Sequence, residues 1–427
     1  MELNNKKIIN AWCMYDWANS VYNLVINTAI FPIYYSLVTT EKVVFLGFNI
    51  LSSVLYTYAL SVSYLLSAAI LPLLSGIADY TGKKKFFLKV FTFIGAISCM
   101  SMFFFTEESL YWGIGCVIFA SLGYSSSLVF YDAYLPEIAS VDKTDRISAK
   151  GYSYGYGGST ILLVISAAAI MFLPESADDK ATVLTIMRWV FVGVGIWWIG
   201  FAQIPFMKLP SNIFHKKPTG NILLNGYREI KQVFNRLGDL PNIRRYIIAF
   251  FFFNMGVQTV MLVATLFGTD VLGLGSAQLI PVIIIIQLIG MLGSYLFARL
   301  SEMKGNIFSL NIMIIIWIGI SCYAYFVATE LEFYIIAVVV GLVMGGIQAL
   351  SRATYSKLIP TDTEDHTSFF SFFDVTYHVS VVIGTFSFGF INQITGSMRN
   401  STLALVLFFV VGLIALYFVK LPKSANA

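Results

Sequence analysis

The sequence predicts an all-α membrane protein, with twelve transmembrane helices in two six-helix bundles related by pseudo-symmetry. Three observations carry that prediction. Hydrophobic residues make up 58% of the 427-residue chain and charged residues only 12%, with a mean hydropathy of +0.78; an ordinary water-soluble protein does not have this balance. Apolar runs long enough to cross hydrocarbon recur along the whole chain. Lysine and arginine are sorted between alternate connections, as a fixed orientation in a bilayer requires.

The expected spans are 10–38, 49–78, 86–105, 111–135, 151–173, 184–206, 245–268, 277–299, 307–328, 333–358, 368–395 and 399–419, placed to within about 2–4 residues. Most connections are short, as in helical bundles. The exception, from Met207 to Arg244, divides the chain into a first bundle (1–206), a linker (207–244) and a second bundle (245–427). Only Lys6 and Lys7 precede the long first span, and no small-residue cleavage site follows a short apolar core, so that span is expected to be a retained helix rather than a signal peptide. Cys13, Cys99, Cys116 and Cys322 are dispersed in or beside apolar spans and are expected to pack, not to form disulfides or bind metal.

With the termini and every even-to-odd connection on one side, 23 of the 27 Lys and Arg residues fall there. The other side keeps Lys42, Lys180, Arg188 and Arg399. Both termini are therefore expected in the cytoplasm. The net charge of +4 reflects this sorting and implies no nucleic acid. In the linker, Leu223, Tyr227, Ile230, Phe234 and Leu237 recur at spacings of four, three, four and three, with Arg228, Lys231 and Arg236 off the stripe. This predicts a short amphipathic helix on the cytoplasmic membrane face, the alternative being a solvated basic linker.

Between the second and third spans runs G-I-A-D-Y-T-G-K-K-K, Gly76 to Lys85. Gly82 suits a position of positive φ. Asp79 is costly so close to hydrocarbon unless it has a partner. The string is not a phosphate-binding loop, because Lys84 stands where Ser or Thr should follow the first lysine. The second half echoes the first. Asp79 to Gly82 matches Glu302 to Gly305 in its acid-x-x-Gly spacing, and Tyr131 to Pro136 matches Tyr355 to Pro360. Two echoes in matching order support a parallel duplication of six helices.

Polar residues stand where polarity is expensive. Asp16, Asn19, Asn23 and Asn27 are spaced three, four and four along span one, and on an α-helix they share one face. Asn254 and Gln258 repeat the i, i+4 spacing in span seven. Facing lipid, such stripes leave polar groups unsatisfied, so they are expected to line a central cavity; helix–helix hydrogen bonding alone is the alternative. Asp374 and His378 form another i, i+4 pair in span eleven, where an acid beside an imidazole suits proton uptake and release; a structural pair is the alternative. Asp132, Glu137, Arg352 and Lys357 lie near cytoplasmic helix ends and suit a gate. Gly151, Gly155, Gly157 and Gly158 in span five, with Gly341, Gly345 and Gly346 in span ten, suit close helix approach.

The loop from Gly76 to Lys85 resembles the signature between helices two and three of major facilitator superfamily transporters. Tyr15 to Tyr22 (Y-D-W-A-N-S-V-Y), Gly151 to Gly158, Gly346 to Arg352 (G-I-Q-A-L-S-R) and Thr395 to Arg399 (T-G-S-M-R) resemble the vacuole-effluxer-like branch related to the fungal autophagy-linked amino-acid effluxer. Two positions depart from it: His378 stands where many relatives carry lysine, and Thr385 where proline often follows the glycine. The resemblance implies a secondary transporter in a bacterial inner membrane, with helices one, four, seven and ten lining the path. It points to a small polar solute, such as an amino acid or related metabolite, with efflux favoured.

The expected roles follow. Asp16, Asn19, Asn23, Asn27, Asn254 and Gln258 line the substrate cavity, and Asp374 with His378 couples transport to protons. Gly76, Asp79, Gly82, Asp132, Glu302 and Arg352 form the cytoplasmic gate. A membrane enzyme would need a metal cluster or a nucleophile with its base; His215, His366 and His378 are scattered, so no enzyme, metal or cofactor is expected. A solute receptor or channel is the third reading, against which the repeat argues. The expected partners are a small solute, the bilayer and protons, without nucleic acid, and the expected state is a monomer.

Overall fold

The computed structural model describes residues 3–171, 180–211, 214 and 220–421. Among these, twelve helices are long and apolar enough to cross a membrane. They are α1 Lys6–Val38, α2 Ser52–Thr81, α3 Lys84–Ser101, α4 Leu110–Asp132, α5 Thr144–Met171, α6 Lys180–Lys208, α7 Pro241–Leu272, α8 Ser276–Lys304, α9 Asn306–Ala324, α10 Glu330–Leu358, α11 His366–Thr395 and α12 Met398–Tyr417. The even number of crossings leaves the start of α1 and the end of α12 on one face, called the terminal face below. His215, Lys216, Lys217, Asp178 and residues 172–173 of the fifth expected span lie outside the described residues.

Three local departures from the expected spans matter. Asn49–Leu51, expected to open span two, instead belongs to a strand, Phe48–Leu51, that pairs with Lys42–Phe45 as a two-stranded antiparallel hairpin. Its turn is Leu46-Gly47 with φ of 51° and 82°, the two positive values a type I′ connection requires. Tyr111 holds it, stacking on Phe45 at 4.7 Å and accepting the Leu46 N–H at 3.0 Å. Within α1, Tyr22–Ile30 is π-helical. Pro32 follows that stretch and has no N–H to donate, while the Thr28 hydroxyl takes up the Asn23 carbonyl at 2.9 Å. Finally, α5 starts at Thr144, seven residues before the expected 151. Its first turns are polar and look like loop to an apolar periodicity, yet they hold residues of the site.

In the first half α1 packs on α5 and α6, α3 on α4 and α6, and α2 on α4. In the second α7 packs on α11 and α12, α8 on α10, and α9 on α10 and α12. The halves meet through α5 against α8 and α10, and through α11 against α2 and α4. These are repeat mates, six helices apart, making the same kind of contact in both directions. The linker forms a helix, Ile222–Asp239, capped by the Asn221 side chain accepting the Leu224 N–H at 3.1 Å. It lies against α2 with Gly226, Ile230 and Val233 buried, so the expected apolar stripe divides. Ile230 faces the protein, while Leu223, Tyr227 and Phe234 remain exposed.

Glycine permits the tightest crossings. A Cβ at Gly345 of α10 would overlap the Gly290 carbonyl of α8, and one at Gly341 would lie 2.8 Å from the Ile286 carbonyl oxygen. Backbone rather than side chain fills the opposing space, so the neighbour has no rotamer to yield. Gly345→Val is therefore expected to force the helices apart at a cost of about 1–3 kcal/mol, read as a lowered melting midpoint of detergent-purified protein. A midpoint equal to that of the parent would contradict the crossing described.

Candidate functional site

A cavity of about 260 Å³ lies between the halves. Asn23 and Asn27 of α1, Asn254 and Gln258 of α7, and Asp374 and His378 of α11 all line it, with Asp132 of α4 and Arg352 of α10. The polar wall is knitted together locally. Asn254 Nδ2 donates to Ser380 Oγ at 2.6 Å, Gln258 Nε2 donates to Asn254 Oδ1 at 3.2 Å, and the Tyr377 hydroxyl donates to Gln258 Oε1 at 3.1 Å. Beyond the four helices that the resemblance implies, α2, α5, α8 and α11 also contribute, through Tyr64, Tyr152, Gln287 and Tyr377 among others.

Asp16 and Asn19, expected in the same wall, are not among its lining residues. The expected face assumed one helical pitch throughout, whereas the π-helical stretch from Tyr22 turns the residues after it out of register with those before. Asp16 instead lies buried beneath the cavity, where Arg352 crosses from the second half into the first. Arg352 Nη1 donates to Asp132 Oδ1 at 3.0 Å and to Asp16 Oδ2 at 3.3 Å. Its Nη2 and Nε donate to the carbonyl and the hydroxyl of Ser148 at 2.9 and 3.0 Å. Tyr131 donates its hydroxyl to Asp16 Oδ2 at 2.7 Å, and the guanidinium lies over the rings of Trp12 and Tyr152 at 4.7 and 4.3 Å. Gly151 leaves the space: a Cβ there would overlap Asp16 Oδ2 and stand 2.9 Å from Arg352 Nη2.

Closer to the terminal face, three further clusters join the halves. Asp79, near the end of α2, accepts the backbone N–H groups of Thr367 and Ser368 at 3.2 and 2.6 Å. These belong to the first turn of α11, which its own Asp365 does not cap, so the carboxylate meets both free donors and the positive end of the helix. Gly82 stops α2 just beyond it at φ +68°. Glu137, on a short helix Leu135–Ile138, pairs with Lys84 of α3 and lies 3.0 Å from His366 Nδ1 of α11. Asp145, in the first turn of α5, accepts from Lys357 Nζ at 2.7 Å, from Ser301 Oγ at 2.7 Å and from Asn306 Nδ2 at 2.7 Å.

Two expected gate positions are thereby corrected. Glu302 is exposed; its loop reaches the first half through its neighbours Ser301 and Asn306, and the acid of that cluster is Asp145 on the opposite partner. Gly76 sits beneath the linker helix rather than at the seam, where a Cβ would overlap the Gly226 carbonyl. Asp145, Ser148 and Tyr64 were not singled out from the sequence. For Asp145 the signal was present, as an acid in the first turn of a helix whose repeat mate begins at the Asp79 cluster.

In the cavity itself, His378 Nε2 stands 3.2 Å from Asp374 Oδ2, out of line for a hydrogen bond. The His378 ring lies flat against Tyr64 of α2, at 4.7 Å and 19°. This contact, too, crosses between the halves.

Removing the Arg352 charge strands the buried Asp16 carboxylate and the half-buried Asp132, so Arg352→Met is expected to cost roughly 3–5 kcal/mol. Adding Asp16→Asn and Asp132→Asn should restore much of that loss. Melting of the single and triple variants checks it; a triple variant no more stable than the single would show that packing, not charge, holds the cluster.

Comparison with known proteins agrees with this architecture. The family model described as "Vacuole effluxer Atg22 like" matches residues 4–427. The uncharacterized MFS-type transporter YxiO of Bacillus subtilis is 31% identical over 420 residues, covering 98% of this chain and 96% of that one. Autophagy-related protein 22 of Kluyveromyces lactis is 28% identical over 397 residues, covering 85% and 78%. Among solved structures, the major facilitator transporter FucP in its outward conformation superposes with a TM-score of 0.73 at 12% identity, covering 97% of this chain and 99% of that one. The proton:xylose symporter XylE gives 0.71 at 13% identity, covering 98% and 96%. A family match over nearly the full length, on a duplicated twelve-helix frame with a polar cavity at its centre, makes this chain a member of the Atg22-like vacuole effluxer family of major facilitator secondary transporters.

Proposed function

We propose that the protein moves a small polar solute through the central cavity by alternating access, with efflux the favoured direction and protons the coupling ion. The cavity carries this reading. It lies between two repeat-related halves, is walled by Asn, Gln, Tyr, Asp and His side chains, and is underlain by charged clusters that each reach from one half to the other. Contacts of that kind can be broken and remade as rigid halves rock. The family description and the transporter names of the relatives support transport rather than enzyme chemistry. Efflux rests on the family description alone.

In this reading the terminal face is cytoplasmic and the clusters of Arg352, Asp79, Glu137 and Asp145 hold it shut. The charge bias of 23 to 4 supports the orientation. Reporters fused at both termini should register the cytoplasm, and one inserted near Glu107 the opposite compartment; a terminus found outside would overturn the orientation. Asp79→Asn removes the negative charge at the positive end of α11, worth about 1 kcal/mol for a partly buried helix N-terminus. Roughly a five-fold shift toward the state open on the terminal face is expected, with slowed transport and intact folding. Cysteine probes on the two faces would show the shift. Unchanged labelling with unchanged transport would remove Asp79 from the gate.

Asp374 and His378 supply the titratable pair inside the cavity. An imidazole changes charge between about pH 5 and 8, and paired groups titrate together. His378→Gln is expected to alter the pH profile of solute flux, and Asp374→Asn to abolish its acid limb. His378→Lys should keep transport but flatten its dependence across that range, since lysine stays charged. If proteoliposomes carrying all three variants keep the parental profile, the pair is structural and coupling lies elsewhere.

A further inference from the structure

The linker helix Ile222–Asp239 touches both sides of the seam that alternating access must open. On one side it is pinned to α2. Gly226 stands against Gly76 and Ile77 with no room for a Cβ on either glycine, and Asn225 Nδ2 donates to the Tyr80 hydroxyl at 2.9 Å. On the other side it reaches the second half. Phe234 meets Phe372 of α11 at 5.9 Å, and Arg236 donates to both oxygens of Asp362, at 2.9 and 2.7 Å, in the connection before α11. These contacts bracket the place where Asp79 caps α11.

Its outer surface has a definite order. At about 100° per residue, Leu223, Phe234 and Tyr227 fall within about 40° of arc beside the buried face, and the next arc of about 100° carries Lys231 and Arg228, with Leu224 and Asn235 between them. Leu223, Phe234 and Tyr227 are 63%, 64% and 56% exposed. The helix is fastened within the last turns of a membrane-crossing helix, where hydrocarbon gives way to headgroups. An apolar flank adjoining a basic one matches that boundary, apolar side chains inward and cations at the phosphates.

We infer that the outer face of this helix binds the anionic headgroups of the bilayer leaflet on the terminal face, and that this seats the helix as a brace holding α2 and α11 together. The regulatory half of the inference rests on the alternating-access reading; the lipid surface does not. Because the Gly226 contact ties the helix to α2, parting the seam must strip it from Phe372 and Asp362 or lift it out of the headgroup layer. Anionic lipid therefore favours the state closed on the terminal face, as differential affinity for two states requires.

Two measurements on the full chain in vesicles test this. A nitroxide at Tyr227→Cys, with the four native cysteines replaced by alanine, is placed in phosphatidylcholine with and without about one third phosphatidylglycerol. Power saturation should put it at headgroup depth in the anionic vesicles, and at that depth less fully when Arg228→Gln and Lys231→Gln are added. A label as open to a water-soluble relaxant as one in bulk solution would overturn the lipid surface. In the second measurement, labels at Lys83→Cys and Met303→Cys report the width of the seam. Phosphatidylglycerol should deplete the wide population about five-fold, and the double glutamine variant should erase that difference. A wide population that ignores lipid charge, or a lipid effect that survives the double variant, would overturn the brace. A label at headgroup depth together with a single seam width in every lipid, even with Asp79→Asn, would leave the surface standing and sink alternating access.

Discussion

A guanidinium buried between two helical bundles must be met by anions and acceptors, and the rest of this molecule is arranged around that requirement. Arg352 is 2% exposed and reaches from α10 to Asp16, Asp132 and Ser148 on three helices of the other half. Desolvating such a group costs several kcal/mol unless its donors are filled. Here the Ser148 carbonyl, its hydroxyl and two carboxylates fill them, and Trp12 and Tyr152 cover its faces. Because every one of those partners lies in the first half, satisfaction of the charge and closure of the seam are the same event. Moving the halves apart exposes Arg352 to water or to a ligand, so the cluster suits a contact that is made and broken.

The pseudo-symmetry is carried by geometry more than by residue type. At one end of the seam an acid of the first half, Asp79, caps a helix of the second. At the other end the acid belongs to α5 of the first half as well, and the second half answers with Lys357, Ser301 and Asn306. The duplicated frame thus keeps two equivalent meeting places, each with a buried carboxylate. Both carboxylates come from the first half, while the backbone donors, the lysine and the polar side chains come from the second. Glu302 keeps the sequence echo of Asp79 without its contact, because the position one residue earlier already fills the space.

Much of this was legible residue by residue. Asp79 announced its need for a partner because an unpaired acid cannot rest near hydrocarbon, and Gly82 announced a left-handed turn. Arg352, Asp132, Glu137 and Lys357 were legible as charges at helix ends that suit a gate. Their pairing was not legible, since sequence distance says nothing about which of several acids a cation meets across a seam. Asp16 and Asn19 were misplaced for a more local reason. Their spacing describes a face only while the helix keeps one pitch, and the widened turn after Tyr22, supported by the Thr28 hydroxyl and by Pro32, breaks the count.

Composition and periodicity alone determined the all-α class, the twelve crossings and the side on which positive charge gathers, because hydrocarbon imposes those on any chain that crosses it. They also located the linker helix and the polar stretches that line the cavity. Only the tertiary structure decided that Asp16 lies beneath the cavity, that Tyr64 faces His378, that Asp145 stands where Glu302 was expected, and that the linker helix bridges α2 and α11. Each of those depends on contact between elements far apart in the chain. Such contacts are chosen by shape and charge in three dimensions, and no local pattern records them.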